Sequence, residues 1–410
     1  MGNRKQILSW CFFDFANSSY SAVIAAVVFP VYYVSQIVGN ANGQGDLWWG
    51  RAISLSMGFV ALTAPFLGGV ADYSGLRKRL LAIYTVLSVV AVSGLCLLKP
   101  GMILTGFLLV VVANIGMEGG LVFYNSFLPD IAQKDYQGRV SAWGYGVGYA
   151  GSICSLLVAL PLVKSHHYGT TWLMVAAFFM LFALPAFFLL PADRKTGSSV
   201  LASAADGGRY AWKTLKTILR EKEVRTFLAA YLIYEDGVNT VIVFSSIFAA
   251  TTLGFSPVEL VALYMLVQAT ALAGAFATAR PIDAWGPKKM VILSLLFWSS
   301  VTVGAFFVGQ KGHFFVLASF AGLGLGTVQA ASRAFFAQFI PEGHESEYFG
   351  VYSLVGKSSA VAGPIVFGIV SSTFGSQRPA ILAVSLFFIT GLAIVRNVRG
   401  GGPNIKSLPD

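Results

Sequence analysis

Long apolar segments recur along the whole chain, and they limit its possible folds more than any other feature. About twelve can be drawn, each close to the roughly 20 residues that a helix needs to cross a bilayer. The approximate limits are 10–38, 48–71, 79–98, 102–128, 139–163, 172–190, 224–250, 257–279, 289–309, 313–340, 348–373 and 378–396. The sequence therefore predicts an all-α membrane protein with twelve transmembrane helices, numbered below as spans one to twelve.

The composition agrees with a membrane protein. Of the 410 residues, 56% are hydrophobic and 11% are charged, whereas a soluble domain carries about 25% charged residues. The net charge of +10 would suggest nucleic acid as the partner of a soluble chain. Here the basic residues fall in short connectors, where they direct membrane topology. We therefore expect no nucleic-acid partner.

Neither the cysteines nor the sequence motifs predict a metal, a cofactor or a catalytic centre. Cys11, Cys96 and Cys154 lie in apolar runs, which argues against a disulfide framework or a zinc site. No H-E-x-x-H or G-x-S-x-G motif occurs, so the chain has no recognisable hydrolase machinery. The residues from Gly356 to Ser358 resemble the end of a phosphate-binding loop, but they fall within a membrane span. We expect a protein that is not an enzyme.

Lysine and arginine are distributed unevenly between the two sides of the predicted membrane. One side collects 22 of the 28, including those at both ends and in the central linker. The other side has Arg51, Lys99, Lys164, Lys311 and Arg378. Because basic residues concentrate on the cytoplasmic side, the bias predicts that both termini and the linker are cytoplasmic.

The central linker divides the chain into three parts. Residues 1–190 form the predicted first six-helix bundle, and residues 224–410 form the second bundle with a short tail. The linker, 191–223, is polar until about Gly208 and then carries basic residues on one side and Trp212, Leu215 and Leu219 on the other. This pattern indicates an amphipathic helix at the membrane surface, with a solvated linker helix as the alternative.

The two halves of the chain repeat each other. A shift of 222 residues places Asp14 and Asn17 on Asp236 and Asn239. A shift of 212 residues pairs Pro129 with Pro341, Gly138 with Gly350, Ser141 with Ser353 and Gly144 with Gly356. Six spans, a linker and six related spans predict two pseudo-symmetric bundles, an arrangement in which transporters hold substrate near the middle of the membrane.

Polar residues inside the spans predict where such a site lies. A carboxylate in a membrane helix costs about 2.5–3.5 kcal/mol on insertion scales, so it should face protein or a water-filled cavity. Asp14 and Asn17 are three residues apart and share one helix face, as do Asp236 and Asn239. We predict that the two pairs line one shared site.

The charges inside the membrane do not balance. The acids are Asp14, Glu118, Glu235 and Asp236, and the bases are Arg333 and Lys357. The two unpaired carboxyls are expected to take up protons, which is the basis of proton coupling. We predict that Asp236 carries the proton, because Asp14 matches it in the repeat, with Glu118 and Glu235 as the other candidates. A structural charge network is the alternative, and Gln329 is either a hydrogen-bonding group of the site or a contact between helices.

The connector after span two carries a recognisable signature. It reads GGVADYSGLRKRLL and resembles the loop G-x-x-x-D-R-x-G-R-K of the major facilitator superfamily, with Gly68, Asp72, Gly75, Arg77 and Lys78 at the matching positions. The resemblance implies the major facilitator fold and a loop that helps to close the cytoplasmic side. A purely topogenic basic turn is the alternative. The related connector ARPIDAWGPKKM keeps Asp283, Gly286, Lys288 and Lys289, but Ala279 stands where the first glycine is expected.

Other segments resemble one branch of that superfamily, the vacuole-effluxer-like proteins. The resemblance rests on FDFANSSY, YEDGVNTV, and QAASRAFFAQFIP running to EYFGVYSLVGKSSAVAGP. The branch includes amino-acid effluxers of fungal vacuoles and bacterial relatives. Because this chain lacks the long insertions of the fungal members, we expect a bacterial relative in the inner membrane.

These features together lead to a functional expectation. A cavity with charges of both signs, joined to the family resemblance, predicts proton-coupled export of an amino acid or related metabolite by alternating access. The expected partners are a small-molecule substrate, protons and membrane lipid, and we expect a monomer. The 14% aromatic content keeps export of drugs or lipid-like amphiphiles as an alternative, and a non-transporting membrane sensor is a more distant one.

Overall fold

The computed structural model of the chain describes residues 3–39, 44–193, 212, 215–360 and 362–399. These residues form helices and their connectors, and no strand occurs among them. Eleven helical segments of this part of the chain are long and apolar enough to cross a membrane. The prediction of an all-α membrane protein is confirmed.

The first span is not one regular helix. The helix α1, Arg4–Ser19, continues as a π-helix over Tyr20–Val27, and α2, Phe29–Tyr32, continues as a second π-helix over Tyr33–Val38. Pro30 lies in α2, and proline lacks the N–H group that an uninterrupted helix requires. π-helical turns are rare and often lie at functional sites. The first span thus contains two π-helical segments where one plain helix was expected over 10–38.

The remaining helices of the first half follow the predicted spans closely. They are α3, Gln44–Ser74; α4, Arg77–Gly94; α5, Ile103–Ser126; the short α6, Leu128–Ile131; α7, Gln137–Lys164; and α8, Tyr168–Leu189. Short 3-10 helices occupy Leu95–Leu97 and Lys134–Tyr136.

The described residues of the second half form seven helices of 13 to 30 residues. They are α9, Lys222–Thr251; α10, Pro257–Trp285; α11, Pro287–Phe307; α12, Lys311–Ala337; α13, Glu345–Ser358; α14, Ala362–Phe374; and α15, Gln377–Arg396. The predicted span eleven, 348–373, therefore consists of two shorter helices.

Local sequence signals account for several helix ends. Asn3 caps α1, since its side chain accepts a hydrogen bond of 3.1 Å from the backbone N–H of Lys5. Ser256 and Glu259 form a reciprocal capping box at the start of α10, which satisfies two N–H groups that a helix start leaves open. The connectors after α3 and α10 turn at Gly75 and Gly286, whose φ angles of 65° and 85° favour glycine.

The chain forms two compact units. Unit 1 comprises Met1–Ala132, Val147–Thr214 and Gly343–Leu354. Inside it α1 packs against α8, and α5 packs against α3 and α4. The buried rings of Phe13 and Tyr124 stack with centroids 5.1 Å apart, and Trp10 stacks on Tyr124 at 4.5 Å.

Unit 2 comprises Gln133–Gly146, Leu215–Glu342 and Val355–Asp410. Its closest helix pair is α10 with α12, where glycines let the backbones approach. A Cβ at Gly274 would overlap the carbonyl oxygen of Leu323, and one at Gly326 would overlap that of Ala271. Small residues of this kind drive helix packing in lipid, where burial of apolar surface gives no advantage over contact with acyl chains.

The predicted division of the chain at the linker stays a prediction. Residues 194–211, 213 and 214 lie outside the described residues, and residues 215–220 are helical. Trp212 is half exposed, and its ring lies parallel to that of Phe66 with centroids 6.4 Å apart. The amphipathic character of the linker is therefore described only in part.

Candidate functional site

Arg77 is the centre of a charged cluster in unit 1, formed by Asp72, Arg77, Asp130, Glu345 and Glu347 and called here the Asp72 cluster. The guanidinium lies 2.7 Å from Asp130 Oδ2, 3.3 Å from Glu345 Oε2 and 3.8 Å from Asp72 Oδ1. The side chains of Asp72 and Glu345 are almost fully buried. One cation thus holds three carboxylates that come from both halves of the sequence.

Asp72 also caps a helix of the second half. Its Oδ2 accepts a hydrogen bond of 2.9 Å from the backbone N–H of Glu347, the third residue of α13. A carboxylate at a helix start is favoured by the open N–H groups and by the helix dipole. The approach of α3 depends on Gly68, because a Cβ there would overlap the carbonyl oxygen of Ser346. Two residues of the signature therefore contact α13. Asp72 binds it through a charged hydrogen bond, and Gly68 allows close packing because it has no side chain.

A related cluster in unit 2 consists of Asp283 and Arg139, called here the Asp283 cluster. Asp283 Oδ1 accepts a hydrogen bond of 3.0 Å from the backbone N–H of Arg139, the third residue of α7. Asp283 Oδ2 lies 3.3 Å from Arg139 Nε. Gly138 allows the approach here, since its Cβ would overlap Ile282. Ala279 stands where the signature has its first glycine, and here Gly138 of α7 provides the space for close packing.

Two of the three lysines in the signature connectors, Lys78 and Lys288, bind helix ends instead of carboxylates of the clusters. Lys78 Nζ donates to the carbonyl of Leu190 at 2.8 Å, just beyond the end of α8. Lys288 Nζ donates to the carbonyl of Arg396 at 3.0 Å, the last residue of α15. Cations stabilise the carbonyl-rich end of a helix. Of the predicted bases, Arg77 is the one whose side chain pairs with carboxylates of the Asp72 cluster.

Sequence reasoning missed the acids around Arg77 and the histidine beside them. Asp130, Glu345 and Glu347 lie at the ends of spans four and eleven, on the same predicted side as the signature loop. His344 Nδ1 lies 3.2 Å from Glu347 Oε2, whose side chain is 1% exposed. The available signal was the alternation of the predicted spans across the membrane. It places the connectors after spans two, four and ten on the same side.

The pKa values of Glu345 in the Asp72 cluster and of His344 beside the cluster are both raised. The hydrogen bond to Glu347 raises the pKa of His344 above its ordinary value, although partial burial opposes the shift. Burial raises the pKa of the Glu345 carboxyl, while Arg77 opposes that shift. A raised pKa means that the folded cluster binds the proton more tightly than the unfolded chain does. Both groups therefore favour the assembled cluster at acidic pH.

We expect His344→Gln to flatten the pH dependence of thermal stability. In the wild-type protein the His344 contribution is complete below the ordinary histidine pKa of about 6.5 and is lost as pH rises through the raised value. The wild-type melting temperature should thus fall above neutral pH by about 1–3 °C more than that of the variant. Melting curves of the purified protein at about pH 6 and about pH 8.5, on either side of the ordinary histidine pKa, provide the test. Parallel curves for both proteins would contradict the assignment.

The predicted polar pairs lie in different units. In unit 1, Asn17 Nδ2 donates to Asp14 Oδ1 at 3.4 Å, and both residues are buried. They pack against α7 at Gly148, where a Cβ would lie 3.3 Å from Asp14 Cγ. Asp236 and Asn239 lie in unit 2 and contact the segment where α13 ends and α14 begins. The idea that both pairs line one site stays a prediction.

Unit 1 contains a further polar network that the sequence did not single out. Tyr20 Oη donates to Asn114 Oδ1 at 3.3 Å, and Asn114 Nδ2 donates to Ser56 Oγ at 2.8 Å. Glu118, one helical turn after Asn114, lies within electrostatic reach of Tyr20. Glu118 was predicted as a site residue, and the network joins it to the start of the first π-helix.

The strongest concentration of predicted site residues surrounds Glu235 in unit 2. Gln329 Nε2 donates to Glu235 Oε1 at 2.8 Å, and Lys357 lies within electrostatic reach of the carboxyl. Tyr145 Oη donates to Gln329 Oε1 at 3.5 Å. Glu235 is 7% exposed. We call Glu235, Gln329, Lys357 and Tyr145 the Glu235 network.

Arg333 borders this network and is 1% exposed. Its Nε donates to Ser141 Oγ at 2.8 Å, its Nη2 donates to the Ser141 carbonyl at 2.6 Å, and its guanidinium lies 4.0 Å from the centroid of the Tyr145 ring. The sequence predicts that Arg333 neutralises an acid inside the membrane. Its described contacts are to a hydroxyl, a carbonyl and an aromatic face, the last in a favourable cation–π arrangement. The neutralisation of an acid by Arg333 stays a prediction.

Comparison with solved structures defines the class of protein. The proton:xylose symporter XylE of the major facilitator superfamily, solved with 6-bromo-6-deoxy-D-glucose, superposes with a TM-score of 0.76 at 12% identity, covering 96% of this chain and 95% of XylE. The fold is that of the major facilitator superfamily. The chain therefore has the fold of a membrane transporter of the major facilitator type.

Sequence comparison then gives the family. The family described as "Vacuole effluxer Atg22 like" matches residues 51–399, so the chain belongs to it. The uncharacterised MFS-type transporter YxiO of Bacillus subtilis (strain 168) is 28% identical, covering 95% of this chain and 94% of YxiO. Autophagy-related protein 22-1 of Penicillium rubens is 24% identical, covering 85% of this chain and 74% of that protein. The resemblance seen in the sequence is confirmed.

Proposed function

We propose that the protein exports a small polar organic solute, an amino acid or a related metabolite, in exchange for protons. The observation that carries the proposal is the Glu235 network, in which a buried carboxyl inside a membrane span faces an amide and an ammonium group. Ionisable groups at this depth are costly and commonly mark substrate or proton pathways. A family described as vacuole effluxers supports the direction.

The chemistry of the network supports a proton carrier at Glu235. Asp236, the carrier predicted from the repeat, accepts hydrogen bonds from two backbone N–H groups of α14. Glu235 instead contacts side chains, which can change partners during a transport cycle without unwinding a helix. We therefore assign the proton to Glu235 and give Asp236 another role below.

A zwitterionic substrate fits the charges of this network. Lys357 offers a cation for a carboxylate, and Glu235, when ionised, offers an anion for an ammonium group. Tyr145 and Gln329 add neutral hydrogen-bonding groups beside them. Binding of an amino acid would exchange these internal contacts for contacts to substrate, which links substrate binding to proton release at one carboxyl.

The aromatic content has a simpler explanation than an amphiphilic substrate. In unit 1 the rings of Phe15 and Phe178 stack at 5.2 Å, and those of Phe15 and Phe182 meet edge to face at 4.9 Å. In unit 2 Phe244 stacks on Phe367 at 3.9 Å. These residues pack helices together, so they give no specific support to a drug or lipid exporter.

We further propose that the Asp72 and Asp283 clusters close the cytoplasmic side during the cycle. Each cluster joins a signature connector to the first turn of a helix from the other half of the sequence, α13 for Asp72 and α7 for Asp283. Capping hydrogen bonds and single ion pairs are contacts of about 1 kcal/mol or a few kcal/mol. A closure built from them can be reversed by substrate binding.

Counterflow in proteoliposomes tests the proposed substrate class. Vesicles containing the purified protein are loaded with each of the twenty amino acids and exposed to trace radiolabel of the same compound. We expect transient accumulation of label for at least one amino acid, and none in vesicles without protein. If an amphiphilic dye is transported and no amino acid shows counterflow, the proposed class is wrong.

The proposed orientation predicts opposite labelling of two exposed lysine positions. Lys99 and Lys134 are both exposed, and the distribution of basic residues assigns them to opposite sides. In a background with all three cysteines replaced by serine, Lys99→Cys should react with an impermeant thiol reagent in intact cells. Lys134→Cys should react only after lysis, and the reverse pattern would contradict the orientation.

A further inference from the structure

The predicted span eleven is interrupted where its two halves meet. The helix α13 ends at Ser358 and α14 begins at Ala362. The first N–H groups of a helix have no partner within that helix, and inside a membrane each unsatisfied group is costly. Acceptors from another element must therefore serve the start of α14.

Asp236 of α9 supplies those acceptors. The backbone N–H of Ala362 donates to Oδ2 at 3.0 Å, and that of Gly363 lies 2.9 Å from Oδ1 and 3.0 Å from Oδ2. Asp236 is 4% exposed. Both carboxylate oxygens thus serve the first turn of α14.

The next turn of α9 holds the other side of the interruption. Asn239 Nδ2 donates to Ser359 Oγ at 3.1 Å, and Ser359 Oγ donates to the carbonyl of Gly356 at 2.7 Å. The pair predicted from the sequence repeat therefore contacts both sides of the break. Asp236 binds the start of α14, and Asn239 binds Ser359, just after the end of α13.

Gly363 makes this arrangement possible. A Cβ at this position would overlap Thr240 Oγ1 and lie 2.7 Å from Asp236 Oδ1. Gly151 corresponds to Gly363 under the 212-residue shift, yet it lies inside the continuous helix α7. The break is thus a feature of the second half that the repeat does not share.

The break also lies next to the contact between Lys357 and Glu235. Lys357 is in the last turn of α13, directly before the break, and Glu235 directly precedes Asp236. A change in the angle between α13 and α14 would move Lys357 relative to Glu235. Whatever fixes the break therefore fixes the contact on which the proposed function rests.

We propose that Asp236 is a positioning residue that holds the break between α13 and α14 and thereby places Lys357 beside Glu235. The inference deepens the proposed function, since it gives the second adjacent acid a task distinct from carrying the proton. It also differs in outcome from the prediction based on the repeat. A proton carrier loses its function when it becomes an amide. A cap keeps it, because Asn is also a favoured capping residue and its single oxygen can take the position of Oδ2, which lies 3.0 Å from both N–H groups.

Two substitutions of Asp236 separate the roles. Amide hydrogen exchange in nanodiscs should show Ala362 and Gly363 exchanging at least about fivefold faster in Asp236→Ala, and close to wild type in Asp236→Asn. In proteoliposomes Asp236→Asn should keep most of the pH-driven accumulation of the amino acid identified by counterflow, while Asp236→Ala should lose it. Unchanged protection in Asp236→Ala, or an Asp236→Asn protein as uncoupled as Glu235→Gln, would overturn the proposal.

A matched pair of glycine variants tests the same contact with Asp236 left in place. Gly363→Ala should push α14 from α9 and accelerate exchange at Ala362, whereas Gly368→Ala in the same helix should not, since a Cβ there meets no atom within 4 Å. Equal protection in both variants would contradict the clamp. These exchange measurements do not depend on transport, so a wild-type protein without proton-driven accumulation would refute the proposed function separately.

Discussion

Glu235→Gln is expected to abolish proton-driven accumulation of substrate while preserving exchange of substrate across the membrane. Glutamine keeps the shape and the hydrogen bond to Gln329, which is 2.8 Å in the wild-type protein, but it cannot release a proton. One proton moving down a gradient of one pH unit supplies about 1.4 kcal/mol, enough for a tenfold substrate gradient. The variant should bring the accumulation ratio to unity and keep counterflow within about threefold of wild type.

The control for this prediction is Glu259→Gln. Glu259 is also paired with a lysine, since its Oε2 lies 2.8 Å from Lys311 Nζ, but its side chain is 35% exposed. The same chemical change there should leave accumulation intact. Full accumulation in Glu235→Gln would refute the assignment, and equal loss of counterflow and accumulation would show a binding role without coupling.

Asp72→Ala is expected to lower the transport rate by about tenfold or more, which corresponds to about 1.4 kcal/mol or more. The substitution removes the cap on α13 and one of the three carboxylates around Arg77. Removing one partner from a buried charged cluster costs about 3–5 kcal/mol, and a lost helix cap adds about 1 kcal/mol. Initial rates in proteoliposomes, with expression and substrate binding measured in parallel, check the prediction. A wild-type rate would reduce the loop to a topology signal.

Two glycines of α3 provide a matched control for the Asp72 cluster. Gly68→Ala would place a methyl group on the carbonyl oxygen of Ser346, whereas Gly58→Ala meets no atom within 4 Å. Overpacking typically costs about 1–3 kcal/mol. Gly68→Ala should therefore reduce transport in the same direction as Asp72→Ala, and Gly58→Ala should not. Similar rates for the two glycine variants would argue against a packing role for this contact.

The sequence predicted those features that depend on local spacing. Apolar length predicted the spans, and the signature singled out Asp72 and Arg77, whose side chains lie together in the structure. The other acids of the Asp72 cluster were not predicted, because the residues that they contact are distant along the chain. Arg77 meets Asp130 across 53 positions and Glu345 across 268, and no local pattern encodes such pairs.

The interruption of span eleven shows why the repeat was an incomplete guide. Apolar character continues through the break, so hydropathy alone predicts one helix. The available signal was Pro364, which lies in the first turn of α14, a position where proline is tolerated because its missing N–H has no helical partner. The repeat equated Asp14 with Asp236, but Asp14 packs beside the continuous α7. Equivalent residues thus acquired different partners.

Proton movement during transport is the most direct test of the central claim that solute export is exchanged for protons. Proteoliposomes containing a trapped pH-sensitive dye, with no initial pH gradient, would receive each of the twenty amino acids outside. We expect the transported amino acid to enter and the lumen to become more alkaline as protons leave, with no alkalinisation in Glu235→Gln vesicles. Entry of the amino acid into wild-type vesicles without a change in luminal pH would contradict the account.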